Sequence, residues 1–287
     1  MAFGAQIIKY GFATGRVRVL ETKMVSLERV KRLIESANMD EVHRVLAETD
    51  YGQDMRSAGT IAEVEAALDK QLSSAYALLH ESNIPLEMET YFRSRYDFLN
   101  LRALLKSGLG QQAEVLLSPL GAADIDTADL PEPLESAAQE ALAKYNEDQR
   151  IEEIDIVLDR HYFANLLALA GKLKSKWITA YTKLLIDLAN GRIAVRGGKE
   201  MIAGGDTEHL AEVMATVSSI AEYDLAADNA AIDWLVTSHR FNSGPEPVFA
   251  YVAAREHEVK LIRLIVLSHL SGVPAERIKD RVSRIYA

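Results

Sequence analysis

The chain has 287 residues, of which 48% are hydrophobic and 26% charged, and none is cysteine. Its 42 acidic and 32 basic residues give a net charge of −10. That balance excludes broad, charge-driven binding to nucleic acid or to an anionic membrane surface, because both need a basic face. Without cysteine, disulfides, thiolate metal sites and cysteine nucleophiles are also excluded.

The first half of the chain shows helical periodicity and no convincing strand alternation. Its first twenty residues lack the uninterrupted apolar core of a secretory signal. Thr60 and Glu63 form a capping-box signature, which predicts a long helix after them. Asn83-Ile84-Pro85 then restarts a helix that continues to Lys106, and Gly108 lies where a C-terminal glycine is expected.

The second half continues the helical pattern after one extended loop over 120–133. Helices are predicted over 151–170 and over 175–196, the second with a serine cap. Another begins at 206–207. A last long helix runs over 245–272 with proline in its first turn, and no apolar run reaches the about 20 residues needed to cross a bilayer. The predicted fold class is all-α.

Three of these helices share a weak internal repeat. In each, a tyrosine precedes an acidic residue by six or seven positions, and an arginine follows that acid by five. The three sets are Tyr91, Asp97, Asn100 and Arg102; Tyr181, Asp187, Asn190 and Arg192; and Tyr251, Glu258, Leu261 and Arg263. The repeat predicts three related helical bundles within one unit of 1–287, with approximate boundaries at 1–110, 111–200 and 201–287.

Two of the repeats pair an aspartate with an asparagine three residues later, on helices otherwise rich in Leu, Ile and Ala. A carboxylate in such a place needs partners, because an unpaired buried charge is very costly. The preferred interpretation is a set of hydrogen bonds that fix how helices pack within each bundle. The alternative is a polar lining that faces a partner.

Charge is unevenly distributed along the chain. Residues 111–160 hold thirteen acids and three bases, whereas 1–32 and 255–284 are basic. The ordinary interpretation is a solvated acidic loop with ordinary helix faces. The more specific interpretation is a bipolar molecule whose basic ends contact an acidic surface of a partner.

Common catalytic and metal-binding signatures are absent from the sequence. The seven histidines form no HExxH pair, and there is no GxxxxGK[ST], GxGxxG or GxSxG. Asp155 and Asp159 lie four apart and are interpreted as a solvated acidic face. We therefore expect no catalytic residue, no cofactor and no metal site, and a chain that is not an enzyme.

Several segments resemble the C subunit of V/A-type ATPases, the relative of the eukaryotic d subunit, and they occur in the same order as in that family. They are Tyr10-Gly-Phe-Ala-Thr-Gly-Arg16-Val-Arg18, Ser26-Leu-Glu-Arg, Ala47-Glu-Thr-Asp-Tyr51-Gly, the two Asp-x-x-Asn helices, Pro245 to Ile265, and Gly272-Val-Pro274-Ala-Glu-Arg-Ile. The resemblance covers the whole chain. Leu261 departs from it, because the family commonly has asparagine there.

The resemblance implies a funnel of three similar helical bundles with pseudo-threefold symmetry. Its mouth would receive the central shaft made by the D and F subunits, and its other side would lie on the cytoplasmic face of the membrane proteolipid ring. The protein would pass torque between them, for proton or sodium transport coupled to ATP hydrolysis or synthesis. It would be a monomer when isolated, with one copy per complex, and would lie in the cytoplasm, peripheral to the membrane.

The basic residues near both ends, Arg16, Arg18, Arg255 and Arg263, are expected to contact partners or to brace the mouth. Two other classes of protein stay open from the sequence. One is a free-standing helical-repeat scaffold that binds another protein through its acidic face. The other is a helical enzyme with an unrecognised pocket.

Overall fold

The computed structural model describes residues 2–110, 117–121, 129–206 and 217–286. Within these ranges every regular element is a helix, so the all-α prediction is confirmed for them. In chain order the helices are α1 (Ala2–Glu21), α2 (Leu27–Glu35), α3 (Met39–Leu46), α4 (Gly52–Met55), α5 (Ile61–Glu81), α6 (Leu86–Gly108), α7 (Leu134–Asp148), α8 (Glu152–Lys172), α9 (Lys176–Val195), α10 (Ile220–Val236), a 3₁₀ turn (Thr237–Arg240), α11 (Pro245–Leu270) and α12 (Ala275–Lys279).

The predicted start signals are confirmed where they were clearest. Thr60 Oγ1 accepts from the backbone N–H of Glu63 at 3.3 Å, and the Glu63 carboxylate accepts from the N–H of Thr60 at 3.0 Å. Ser175 Oγ caps α9 by accepting from the N–H of Ile178 at 3.3 Å. Pro245 lies in the first turn of α11, where its missing N–H has no intrahelical partner to lose.

Two predicted helix ends are displaced. Helix α6 includes Gly108, and the left-handed residue is Gly110 at φ +72°. Helix α8 passes through Gly171 to Lys172, and Lys174 takes the left-handed conformation at φ +55°. A glycine inside a helix costs only about 1 kcal/mol, so it need not end one. The predicted start at 206–207 extends into residues outside the described ranges.

The chain forms two compact units, one from residues 1–84 and 215–287 and one from 85–214. We call them the terminal unit and the middle unit. The three-bundle division at 1–110, 111–200 and 201–287 stays a prediction. In the middle unit α6, α7 and α8 enclose one apolar core, made of Phe98, Leu101, Leu105, Leu134, Ala137, Ala138, Ala141, Ile154, Val157 and Leu158.

Helix α11 is the centre of the terminal unit. Residues 247–255 are all buried, and the helix packs against α1, α3, α5, α10 and α12. Burial on every side requires an apolar helix. Arg255 and Glu258 are therefore the exceptions that need an explanation, since both are charged and buried.

Candidate functional site

The asparagines of the two Asp-x-x-Asn segments make the same arrangement on α6 and α9. Asn100 Nδ2 donates to the carbonyl oxygen of Ser118 at 3.0 Å, and its Oδ1 accepts from the N–H of Ser118 at 2.7 Å. Asn190 makes the same two bonds with Ile202, at 2.9 and 2.7 Å. Each asparagine thus uses its donor and its acceptor to fix one loop residue against a helix. We call each arrangement an amide clamp.

The aspartates of the same segments lie against glycines three residues after each clamped position. A Cβ atom on Gly121 would lie 2.6 Å from Asp97 Oδ1, and one on Gly205 would lie 1.9 Å from Asp187 Oδ1. Only glycine lets the loop come this close to the helix. The Asp187 carboxylate also accepts from the N–H of Asp206 at 3.0 Å. Gly205 thus allows the loop to approach the helix, and the carboxylate of Asp187 binds the loop there.

A basic residue four positions before each aspartate binds the far end of the same loop. Arg93 Nη1 donates to the carbonyl oxygen of Leu120 at 2.9 Å, and Lys183 Nζ donates to Asp206 Oδ1 at 2.9 Å. Positions i, i+4 and i+7 share one helix face, so one stripe of each helix contacts its loop at three points. Sequence reasoning missed Arg93, although the basic residue at this spacing is visible in both repeats.

These contacts change the meaning of the Asp-x-x-Asn pattern. The sequence predicted hydrogen bonds that fix helix packing, whereas the asparagines fix loop backbone on a helix. The reason is geometric, because one side-chain amide matches the donor and the acceptor of a single backbone residue. A direct contact between α6 and α9 comes from the tyrosine position, where the hydroxyl oxygens of Tyr91 and Thr182 lie 3.0 Å apart.

The arginines that close the first two repeats differ in their surroundings. Arg102 reaches from α6 to α8, where it binds Asp159 and places its Nε 3.1 Å from Asp155. Lys106 also binds Asp155, at 2.8 Å. The two aspartates were predicted to be a solvated acidic face. Their side chains are 39% and 45% exposed, so they are partly solvated, but they also pair with cations on a neighbouring helix, which the sequence did not indicate. Arg192 lies half-buried near the end of α9.

The third repeat, on α11, holds its loop with a carboxylate. Glu258 accepts from the N–H of Val25 at 2.6 Å and from the Tyr51 hydroxyl at 2.8 Å, and it forms an ion pair with Arg255. Arg255 also donates to Gln71 Oε1 at 3.0 Å, and its guanidinium lies 5.1 Å from the centre of the Tyr51 ring. The Glu258 carboxylate therefore connects the loop before α2 to the central helix.

The buried position of this cluster changes how its groups titrate. Burial raises the pKa of the Glu258 carboxyl, and the positive charge of Arg255 opposes that rise. Burial and the adjacent Glu258 carboxylate raise the pKa of Tyr51 well above its usual value. Burial likewise raises the pKa of Tyr251 to about 12. Tyr51 therefore stays neutral and remains a hydrogen-bond donor throughout the physiological range.

Leu261 takes the place of the clamping asparagine in this third repeat. It is buried and lines a small cavity with Met24, Val25 and Val30, and its apolar side chain cannot make the two hydrogen bonds of an amide clamp.

The other predicted contact residues form pairs inside the terminal unit. Arg16 donates to Glu81 at 2.9 Å, and Arg18 donates to Glu21 at 2.9 Å and to the carbonyl oxygen of Phe241 at 3.0 Å. Arg263 Nε lies 3.0 and 2.9 Å from the two carboxylate oxygens of Glu65. All three arginines are partly exposed and can still touch a partner, whereas Arg255 is only 5% exposed.

Taken together, the predicted residues join loops and helices to one another. In the described part of the chain, no group of three or more histidine, aspartate or glutamate side chains could hold a metal ion. No helix among those described is both long and apolar enough to cross a membrane. These residues fix loops against packed helices at several points.

The sequence matches one family model and several known proteins. The sequence model of the family described as "ATP synthase (C/AC39) subunit" matches residues 13–209 and 199–281. The chain is 23% identical to the C subunit of the A-type ATP synthase of Methanocaldococcus jannaschii, over 94% of this chain and 85% of the relative. It is 26% identical to the C subunit of the A-type ATP synthase of Thermococcus kodakarensis, over 96% and 91%. It is 22% identical to the C subunit of the V-type sodium ATPase of Enterococcus hirae, over 94% and 97%.

Proposed function

The chain belongs to the ATP synthase (C/AC39) subunit family, and from that premise we propose that it is a non-catalytic central-rotor subunit of a V/A-type ATPase or ATP synthase. In this role it joins a shaft of the D and F subunits to the membrane proteolipid ring and transmits torque between them. The observation that carries the proposal is the family match across residues 13–281. The relation to the eukaryotic d subunit is part of the same proposal.

The proposed architecture is a funnel of three similar bundles with pseudo-threefold symmetry. It is supported by the recurrence of one loop-holding face on α6 and α9, and by a modified form of that face on α11. Three copies of one helix-and-loop motif would be expected to surround a common axis. A shaft could enter along that axis.

Torque transmission needs a part that does not yield between its two contacts. Close-packed helix cores resist deformation, and loops are ordinarily the most mobile connections between them. The amide clamps remove that mobility at Ser118 and Ile202. The partly exposed Arg16, Arg18 and Arg263 are proposed to contribute charge-complementary contacts with the shaft or the ring, which favour specific docking.

The proposed location is the cytoplasmic side of the membrane, where the chain would be held through the ring. The names of the relatives include both A-type ATP synthases and a V-type sodium ATPase. The transported ion would be a proton or sodium, because the ring makes that choice. Either direction of coupling, hydrolysis or synthesis, would need the same mechanical joint.

Reconstitution with and without this protein tests the proposal. The catalytic head with its D and F shaft and the proteolipid ring would be assembled in vesicles, and ATP hydrolysis and ion uptake would be measured together. Omitting the chain should leave hydrolysis and abolish ion uptake, and adding it back should restore uptake. Ion uptake that is equally fast without the chain would overturn the proposal, as would the failure of the chain to bind either shaft or ring.

A further inference from the structure

The two clamped loops of the middle unit expose an apolar side chain at the same place. Leu117, directly before Ser118, is 45% exposed, and Met201, directly before Ile202, is 51% exposed. The positions after the clamped residues are Pro119 and Ala203, and both are also exposed. Each loop therefore presents one large and one small apolar side chain on either side of its clamp.

Neither five-residue stretch, 117–121 or 201–205, contains a charged residue. Single exposed apolar residues are ordinary on a protein surface. What distinguishes this pair is recurrence, because the same exposure accompanies the same clamp and the same glycine in two separate parts of the chain. The loop of the third repeat differs, since its exposed residues Thr22 and Lys23 are polar.

The clamps also fix the backbone directly after each apolar side chain. Both backbone groups of Ser118 and of Ile202 are bound, and Gly121 and Gly205 are pressed against a carboxylate three residues later. A backbone that is already fixed loses little conformational freedom on binding. A few side chains that become fully buried at the centre of a protein interface contribute most of its binding energy.

Resting on the proposed function, we propose that Leu117 and Met201 are equivalent anchors that bind two copies of the proteolipid in the ring. Two alike anchors on one compact unit suit a partner that presents the same recess more than once. A ring of identical subunits does so at every step. Because neither five-residue stretch carries a charge and each exposes one large apolar side chain, the recess that fits them is apolar as well.

The test is binding of Leu117→Ser, Met201→Ser and the double variant to purified ring in lipid nanodiscs. Each single variant should weaken binding about tenfold, and the double variant about a hundredfold, because each removes one anchor of ordinary size. Leu86→Ser is the matched control, because Leu86 is 71% exposed in the same unit but lies outside both loops. That control should bind as the wild type does.

Binding to the isolated D and F shaft is measured on the same variants, together with thermal unfolding. The proposal expects both to be unchanged. Wild-type affinity of the double variant for the ring would overturn it, and so would a loss of shaft binding in place of ring binding. If the wild-type chain binds neither shaft nor ring, the proposed function itself fails, so the two failures are distinguishable.

Discussion

Helices α9 and α11 carry the same spacing of acid and arginine after a tyrosine, but they hold their loops with different chemistry. On α9 a neutral amide, Asn190, binds both backbone groups of Ile202 and supplements the carboxylate of Asp187, which accepts from the N–H of Asp206. On α11 a carboxylate, Glu258, binds the N–H of Val25 and needs Arg255 to balance its charge. The spacing therefore predicts which face of the helix meets a loop, and the identity of the side chain decides how the loop is held.

Mutating the amide clamp and mutating the buried ion pair should destabilise the protein by different amounts. An amide clamp consists of two ordinary hydrogen bonds, and its loss leaves only neutral groups without partners. A buried ion pair has little net value against apolar residues, but losing one partner leaves a bare charge inside the protein. The two tryptophans allow each case to be measured separately, because Trp234 lies in the terminal unit and Trp177 in the middle unit.

The largest effect is expected for Glu258→Gln. The substitution keeps the shape of the side chain but leaves the Arg255 guanidinium without its counter-charge, so unfolding of the terminal unit should become easier by about 3–5 kcal/mol. The measurement is urea unfolding followed by Trp234 emission in a Trp177→Phe background.

The double variant Arg255→Met/Glu258→Gln is the control for that experiment. It removes both charges together and should lose clearly less stability than the sum of the two single variants. A loss below about 1 kcal/mol for Glu258→Gln alone would show that the buried charge is not the main support of this loop.

Asn190→Ala should have the next largest effect. It leaves the N–H and C=O of buried Ile202 unpaired, at a cost of about 2–4 kcal/mol in the unfolding of the middle unit. Asn100→Ala should cost about 1–2 kcal/mol, because Ser118 is half-buried and water can replace the amide. Trp177 emission in a Trp234→Phe background reports both variants. Equal losses would contradict the dependence on burial that we infer.

The local features of these regions could be predicted from the sequence, and their distant partners could not. The caps at Thr60 and Ser175 depend on neighbours three residues away, so their sequence signatures are sufficient. Asn190 was singled out because its spacing recurs. Its partner Ile202 lies 12 residues further along a loop that has no periodic pattern.

Contacts between residues far apart in the chain are even harder to predict from the sequence. Val25 and Glu258 are separated by 233 residues, and no feature of either segment indicates the other. Asp155 was predicted to be solvated because helical periodicity places it on a polar face, yet that face meets Arg102 and Lys106 of α6. Periodicity distinguishes buried from exposed faces, but it does not reveal which exposed faces meet in an ion pair.

A smaller, pH-dependent effect is expected at His257 on α11. Burial lowers the pKa of His257, whose Nε2 lies 3.1 Å from the Arg284 carbonyl oxygen and 2.9 Å from Ser283 Oγ. Below pH of about 6.5 the unfolded chain binds a proton that the folded chain resists. The stability that the neutral ring contributes is therefore complete above that pH and is lost as the pH falls through this window.

Comparing wild type with His257→Gln at pH 7.5 and pH 5.5 tests this expectation. The variant should lose less stability between the two pH values when Trp234 reports unfolding, by at most about 1.4 kcal/mol per pH unit. The pH dependence reported by Trp177 should be the same in both proteins. An identical pH dependence at Trp234 would show that His257 does not resist protonation in the folded state.

The smallest effect is expected at the arginine that ends the third repeat. Arg263 binds both carboxylate oxygens of Glu65, but the two side chains remain 33% and 38% exposed. Water therefore competes for both charges, and Arg263→Gln should cost about 0–1 kcal/mol in Trp234-reported unfolding. Arg102→Gln, which breaks a half-exposed pairing with two aspartates on α8, should cost about 1 kcal/mol. A loss above about 2 kcal/mol for Arg263→Gln would mean that this arginine acts as part of the buried Glu258 cluster. The contrast between a large loss of stability at Glu258 and a small one at Arg263 would then be wrong.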